Sequence, residues 1–305
     1  MMEDAKPLVV INCLTFNHKP YIRECLEGFV MQKTNFKFVA IVHDDASTDG
    51  TVAIIKEYAN KYPEIICPIL ETENQYSKKD GSLQRIVNEA INATGAKYVA
   101  MCEGDDYWID PYKLQKQVDF MEANPEYSLC FHKVKTLMVN TGEFKEEFLI
   151  EDKSGKSTIL DLANGNYIHT PSVLYRKNIS IQEKYARMMP CIPGDYVLWM
   201  LLAETGDVYK FDEAMAVYRY GSGIWSNKNS ISNDLSYLIT ISRLYAVIDN
   251  KEAKKNLLEQ INTTKKELIL LYNDCVKQYE RVKDSKAYKL GKLLLLPLKI
   301  FKINA

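Results

Sequence analysis

Apolar residues over the first 125 positions fall into short β-branched runs that alternate with stretches of helical spacing. Leu8-Val9-Val10-Ile11 predicts a first strand, Phe36 to Val42 a second, Ile65 to Leu70 a third and Tyr98 to Cys102 a fourth. Between the first two, Tyr21 to Gln32 carries apolar side chains at 22, 25, 26, 29 and 30, the spacing of one helix face. Val52 to Tyr62, Leu83 to Ala93 and Lys113 to Ala123 predict three further helices. Ser47 to Thr51 supplies caps for the first of these, and Asn124-Pro125 stops the last. Strands alternating with helices imply an α/β fold on a doubly wound, mainly parallel sheet.

The pattern then loosens. Ser128 to Val139, Lys145 to Ile150, His169 to Arg176 and Val208 to Tyr220 predict strands, and Thr158 to Ala163 and Asp195 to Glu204 predict helices. From Ser226 to about Val282 the spacing is helical. Leu257, Ile261, Thr264, Leu268, Leu271 and Cys275 form a coiled-coil-like seam, over a length that suits either packing on the chain's own body or an oligomer contact through 257–275. The last stretch, Ser285 to Ala305, holds five lysines, no acids and the run Leu293 to Leu296, with Pro297 interrupting any helix. Such a segment suits an anionic membrane surface, where leucines enter the acyl boundary and lysines meet phosphates. A terminal helix docked on the body is the plainer alternative.

Charge sharpens this contrast. The net charge is -1, so bulk electrostatics do not point to nucleic acid as a partner, but from Lys251 onward 13 basic residues face 6 acidic ones. That stretch is therefore +7 and the remainder -8. Seven cysteines, an odd number with no C-x-x-C pair, fit a reducing compartment better than a disulfide framework or a zinc site. No basic region precedes a long apolar stretch at the N-terminus, and no run reaches the ~18 apolar residues of a spanning helix. The expectation is a cytoplasmic protein, peripheral at the inner face of the plasma membrane.

Chemistry concentrates at the predicted strand ends. Thr15-Phe16-Asn17, Asp44-Asp45 and Glu103-Gly104-Asp105-Asp106 each follow a strand, and in a parallel sheet those ends share one edge, where ligands bind. A single acidic turn is more often a capped helix start; three converging groups are not so easily explained. Crowded carboxylates repel one another unless a cation joins them, and Mg²⁺ or Mn²⁺ takes one or two carboxylates and completes its shell with phosphate oxygens and water. Phe16 offers a flat face to a nucleobase, or is simply a core aromatic. Neither G-x-x-x-x-G-K-[ST] nor G-x-G-x-x-G occurs, which counts against P-loop and dinucleotide-binding readings.

These residues resemble family 2 glycosyltransferases of the GT-A fold. Thr15-Phe16-Asn17, Asp44 to Thr51, and Glu103 to Asp106 ahead of Asp110-Pro111 carry the likeness across about residues 7–125. A weaker match continues through His169 to Val173 and Gly194-Asp195 to about Trp225. The resemblance implies an inverting transfer of a sugar from a nucleotide-diphospho sugar to a glycan or lipid-linked acceptor. It implies Thr15, Phe16, Asn17 and Asp45 around the nucleotide, with Asp45 on the base, and Asp105 on the ribose or the metal. Asp106 would bind the metal, and Asp195 would be the base on the acceptor hydroxyl. Arg85, Lys78 and Lys79 are candidates for the basic donor contact, and His169 and Trp225 for the acceptor side; each has a plain surface or packing alternative. Glu103 stands where many relatives have Asp, and Gly194 where many have Glu.

On this reading residues 1–226 form the GT-A-like domain, 7–125 being its nucleotide-sugar half and 126–226 a mixed acceptor half. Residues 227–284 form a helical extension and 285–305 the basic tail. Two other functions fit part of the pattern. A nucleotidyltransferase acting on a sugar phosphate also holds a metal on carboxylates but releases pyrophosphate, and a non-catalytic relative would bind nucleotide only.

Overall fold

The computed structural model describes residues 6–145, 155–223, 230–286 and 288–289. Its strands are β1 (Val9–Thr15), β2 (Phe38–Asp44), β3 (Ile66–Leu70), β4 (Tyr98–Met101), β5 (Tyr107–Trp108), β6 (Tyr127–Met138), β7 (Phe144–Lys145), β8 (Gly155–Ser157), β9 (Leu174–Arg176) and β10 (Asp207–Tyr220). Its α-helices are α1 (Ile22–Val30), α2 (Thr51–Lys61), α3 (Ser82–Ala93), α4 (Lys113–Ala123), α5 (Ile159–Leu162), α6 (Ile179–Met188), α7 (Gly194–Ala203), α8 (Ser230–Val247) and α9 (Lys251–Asp284).

One sheet runs β3-β2-β1-β4-β9-β6-β10-β5, with β7 on β6 and β8 on β10. The β1–β2, β2–β3 and β1–β4 pairs are parallel. Beyond β4 the sheet becomes mixed, because β9 is antiparallel to both β4 and β6 whereas β10 runs parallel to β6. Side chains alternate along β1. Val9, Ile11 and Cys13 pack with α1, α2 and α4 on one face, and Val10 packs with α3, α7, α8 and α9 on the other. The sheet is thus covered on both sides, as a parallel sheet requires.

α1 buries Ile22, Cys25, Leu26 and Phe29 on one face. α7 is buried from Tyr196 to Ala203, apolar all round, and forms the centre of its layer. The helical pattern after Ser226 forms two helices, parted at Ile248-Asp249-Asn250, where the Asn250 carboxamide accepts the Glu252 and Ala253 N–H groups and caps α9. Of the expected strand from His169 to Arg176, the first part is a 3₁₀ turn, Thr170–Ser172, because Pro171 cannot donate to a ladder. The expected strand from Lys145 to Ile150 is seen at Phe144–Lys145, and residues 146–150 lie outside the described part.

α9 packs on the body through Ala253, Leu257, Ile261 and Thr264. Farther along the same seam, Leu268 and Leu271 are half-buried and Cys275 is exposed. All seven cysteines are free thiols. Among the described residues no helix is long and apolar enough to cross a membrane. Most of the basic, leucine-rich tail, residues 287 and 290–305, lies outside the described part.

Candidate functional site

β1, β2 and β4 run parallel, so Thr15, Asp44 and Met101 end at one edge, with Thr15 directly beside Asp44. Backbone bonds stitch the following turns together. The Asp45 N–H donates to the Thr15 carbonyl (3.0 Å) and the Gly104 N–H to the Leu14 carbonyl (2.8 Å). Gly104 has no room for a side chain: a Cβ there would stand 2.8 Å from Thr15 Oγ1 and 2.9 Å from His18 Nδ1. The acid turn is therefore pressed against the end of β1, and the three predicted groups do meet.

Their roles divide. Asp44 is spent locally, its carboxylate accepting the Ser47 N–H (2.9 Å) and hydroxyl (2.6 Å). Asn17, at φ 56°, takes the same turn: its N–H donates to Ser47 Oγ (2.7 Å) and its Oδ1 accepts the Thr48 N–H (2.9 Å). Asp45 is buried and accepts the N–H groups of Gln75 (2.6 Å) and Tyr76 (3.0 Å), which folds the 75–76 turn over the strand edge. Phe16 is 45% exposed beside them. Thr15 is buried with an unpartnered Oγ1. A small concavity of about 20 Å³ lies alongside, lined by Gln75, Tyr76, Leu83 and Gln84 from this side and Met189 and Cys191 from the other.

The acid tetrad splits three ways. Glu103 is open to solvent but crowded by protein, and its carboxyl is pushed up to about 8 by desolvation first, then by Asp105 and Asp195. Asp105 accepts the Ser222 hydroxyl (2.8 Å) at Oδ2. Asp106 is 1% exposed; its Oδ1 accepts the Arg219 N–H (2.7 Å) and its Oδ2 has no partner. Burial, then the Asp105 charge, holds the Asp106 carboxyl well above the usual range.

Arg219, on β10, locks this turn from behind. Its guanidinium donates to the Asp105 carbonyl (2.5 Å), pairs with Glu24 of α1, and lies between the rings of Tyr107 (4.5 Å) and Tyr21 (5.0 Å). Tyr218, its neighbour, has its hydroxyl kept neutral by burial and by the fields of Asp106, Glu103, Asp195 and Asp105. Its ring packs on His169, 4.7 Å between centroids. His169 is held down to about 4, chiefly by burial, so it is a neutral imidazole at pH 7.

Asp195 enters from the other side, in the first turn of α7. Its Oδ1 accepts the Tyr196 N–H at 2.7 Å, whereas its Oδ2 meets only long contacts from Asn166 (3.4 Å) and Thr170 (3.5 Å). Burial raises its carboxyl above the ordinary value against those hydrogen bonds. A carboxylate with one oxygen anchored and the other loosely held can take a proton.

Of the basic candidates, Arg85 donates to the Asp80 carbonyl (2.8 Å) and Lys78 to Gln75 (2.9 Å), whereas Lys79 caps the turn at φ 54°. Trp225 lies outside the described residues. Sequence reasoning missed His18, Tyr76, Tyr218, Arg219 and Ser222. An arginine amid tyrosines on a strand that otherwise alternates was the one available signal. It was masked by register shifts between Phe211 and Ala216, which break the period of two.

Among the described residues no three His, Cys, Asp or Glu side chains form a ready-made metal cluster. The donor set nevertheless fits an ion that keeps waters and phosphate oxygens: Asp105 at the edge, Glu103 open beside it, and the buried, unpaired Asp106 Oδ2 behind.

An uncharacterized protein of Mycobacterium tuberculosis is 38% identical over 213 residues, 70% of this chain and 59% of that one. The chain thus spans well under two thirds of that relative. The putative teichuronic acid biosynthesis glycosyltransferase TuaG of Bacillus subtilis is 29% identical over 232 residues, 74% of this chain and 85% of TuaG. Among solved structures, S. aureus TarS with UDP-GlcNAc superposes with a TM-score of 0.62 at 18% identity, over 84% of this chain and 72% of that one. The mannosyltransferase PcManGT of Pyrobaculum calidifontis, with GDP-Man and Mn²⁺, gives 0.58 at 14%, over 94% and 84%. These neighbours share the fold. Residues 11–180, more than half of the chain, match the description Glycosyl transferase family 2, and the protein belongs to that family.

Proposed function

We propose that the protein transfers a sugar from a nucleotide-diphospho sugar to a hydroxyl of a glycan or lipid-linked glycan, with a divalent cation and inversion at the anomeric carbon. The observation that carries this is the placement of Asp195 and the acid turn across one site. The Asp195 carboxylate is near enough to help raise Glu103, yet it comes from a different layer of the fold. TarS binding UDP-GlcNAc and PcManGT binding GDP-Man with Mn²⁺ support the donor class and the metal.

On this reading Asp105 and Asp106, the latter through its unpaired Oδ2, would hold the ion with Glu103 open beside them, while Arg219 fixes the turn through Asp106 Oδ1. The ion, when bound, neutralises charge developing on the leaving diphosphate. Asp45 fixes the 75–76 turn and, with Phe16, borders the nucleotide. Arg85 is a candidate donor contact at the start of α3, and Thr15 and Asn17 shape the edge. The acceptor oxygen attacks the anomeric carbon and its proton passes to Asp195 Oδ2. The carbon–oxygen bond to the phosphate breaks on the opposite face, releasing the nucleoside diphosphate. His169 and Tyr218 form the wall between the two groups of acids and are placed to touch the acceptor.

The test pairs binding with product. With Mn²⁺, a cognate nucleotide-sugar raises the melting temperature of the wild type and of Asp195→Asn, but Asp195→Asn does not transfer. Release of pyrophosphate rather than a nucleoside diphosphate would establish a nucleotidyltransferase instead. Full transfer by Asp195→Asn would remove the assigned base.

A further inference from the structure

We propose that the outer face of α8 and the adjoining half of α9 dock on an anionic lipid bilayer, which favours a lipid-linked over a free glycan as acceptor; the acceptor part rests on the function proposed above. α8 has two surfaces of opposite kind. Its inner surface grips the loop that delivers Asp195. Thr240 donates to the Ile192 carbonyl (2.9 Å), Arg243 donates to the Pro190 carbonyl (2.9 Å), and Tyr237 stacks on Tyr196 (6.0 Å). Six residues separate Gly223 from the first residue of α8, so its start lies within ~25 Å of Gly223, the neighbour of Ser222, which contacts the acid turn. Its outer surface shows Ile231, Leu235 and Ile239 at i, i+4 spacing, each about half exposed. Only Asp234 and Arg243 are charged among its 18 residues. A helix that faces water normally carries polar residues there.

α9 extends this surface and gives it a sign. The bond from Tyr237 to Gln260 (2.6 Å) sets the level of the antiparallel pair, so exposed Lys265, Lys266 and Glu267 lie at the level of the start of α8, two cations to one acid. Past them Ile269 and Tyr272 are 59% and 68% exposed. From Lys251 the sequence is +7 and the rest -8, and residues 285–305 add lysines among leucines without one acid. Apolar side chains flanked by cationic ones, on the basic end of an acidic molecule, complement phosphates over acyl chains. The same charge disfavours a second copy as occupant, since a two-fold contact would bring like-charged faces together.

Flotation with phosphatidylcholine vesicles, with and without a third phosphatidylglycerol, tests the proposal on the full chain. Binding is expected only with the anionic lipid and weaker in high salt. Ile231→Ser/Leu235→Ser/Ile239→Ser should weaken it about tenfold or more, given three aliphatic side chains withdrawn from lipid. Lys265→Glu/Lys266→Glu, on exposed positions, should do the same without touching the core. Nucleotide-sugar thermal shifts with Mn²⁺ should be unchanged in both variants, so loss of docking and loss of donor binding are read separately. No binding to anionic vesicles, or wild-type binding by both variants, would overturn the proposal. So would a concentration-dependent dimer that the serine variant dissociates, which would assign the face to a second copy.

Discussion

At the scale of single residues, the site sorts carboxylates by what holds them. Asp44 is occupied by the Ser47 N–H and hydroxyl of its own turn, and Asp45 by the N–H groups of Gln75 and Tyr76 from the turn folded over it. Asp195 keeps one oxygen loosely held. Asp195→Asn is therefore expected to lower kcat by ~10²–10⁴-fold, the usual contribution of a general base, with little change in donor-induced thermal shift. Asp105→Asn should instead abolish the Mn²⁺-dependent part of that shift, measurable by titrating Mn²⁺ at fixed nucleotide. Lys113 offers a test of burial alone. It is fully buried, donates to Gln117 (2.7 Å), lies 4.1 Å over the Trp108 ring, and is held down to about 7, chiefly by desolvation. An unfolded lysine titrates near ~10.4. Between those values the unfolded chain binds the extra proton, so this group makes stability rise with pH from about 7 upward. Below 7 both states are protonated and the group adds no slope. Lys113→Met should flatten that rise by up to ~1.4 kcal/mol per pH unit, seen in denaturant unfolding at pH 7, 8 and 9. An unchanged slope would mean that the ammonium finds solvent.

At the scale of elements, β10 holds the acid turn. Arg219 is a positioning residue: its backbone N–H fixes Asp106 while its guanidinium fixes the Asp105 carbonyl and α1. Arg219→Lys keeps the charge but not the planar fork. It should raise the Mn²⁺ and donor concentrations needed for half-maximal transfer several-fold while leaving kcat within about twofold. Arg219→Met, which leaves the Asp105 carbonyl and Glu24 without a cation, should destabilise the fold by ~1–3 kcal/mol as well. Gly104→Ala would push a methyl into Thr15 and His18, and a cost of ~1–3 kcal/mol with a displaced acid turn is expected. The sequence made the first half of this legible because each strand from β1 to β4 has a contiguous apolar run and each following helix a clean face. The convergence of Thr15, Asp45 and Asp105 at one edge followed from parallel order alone. The grip of Arg219 did not, since it depends on pairing β10 with β6 across 80 residues and on register shifts that no local period records. α6 was missed for a related reason: it runs straight into the Pro190–Pro193 stretch that reads as loop, and its burial comes from α3 and α7.

At the scale of the whole molecule, the layer that carries Asp195 and the basic end form one unit. α7 carries Asp195, α8 clamps the loop before it, and α9 packs across α8 before continuing past Thr264. The half of α9 beyond that point leaves Tyr272, Tyr279 and Val282 more than half exposed, so it adds little to the core. Its ion pair Lys277–Asp274 is exposed and of the kind worth only ~0–1 kcal/mol. Deleting residues 272–305 should then move the melting temperature by no more than about 2 °C and leave the nucleotide-sugar shift intact, because neither core cluster loses a buried side chain. The same deletion removes most of the surplus lysines and should reduce binding to anionic vesicles, while Ile231, Leu235 and Ile239 retain part of it. A large fall in melting temperature would show that the projecting half braces α8, and that the apolar stripe serves the fold before it serves any membrane. Stability retained with vesicle binding reduced would separate the two jobs along a single helix, the first half of α9 building the layer around Asp195 and the second placing it against lipid.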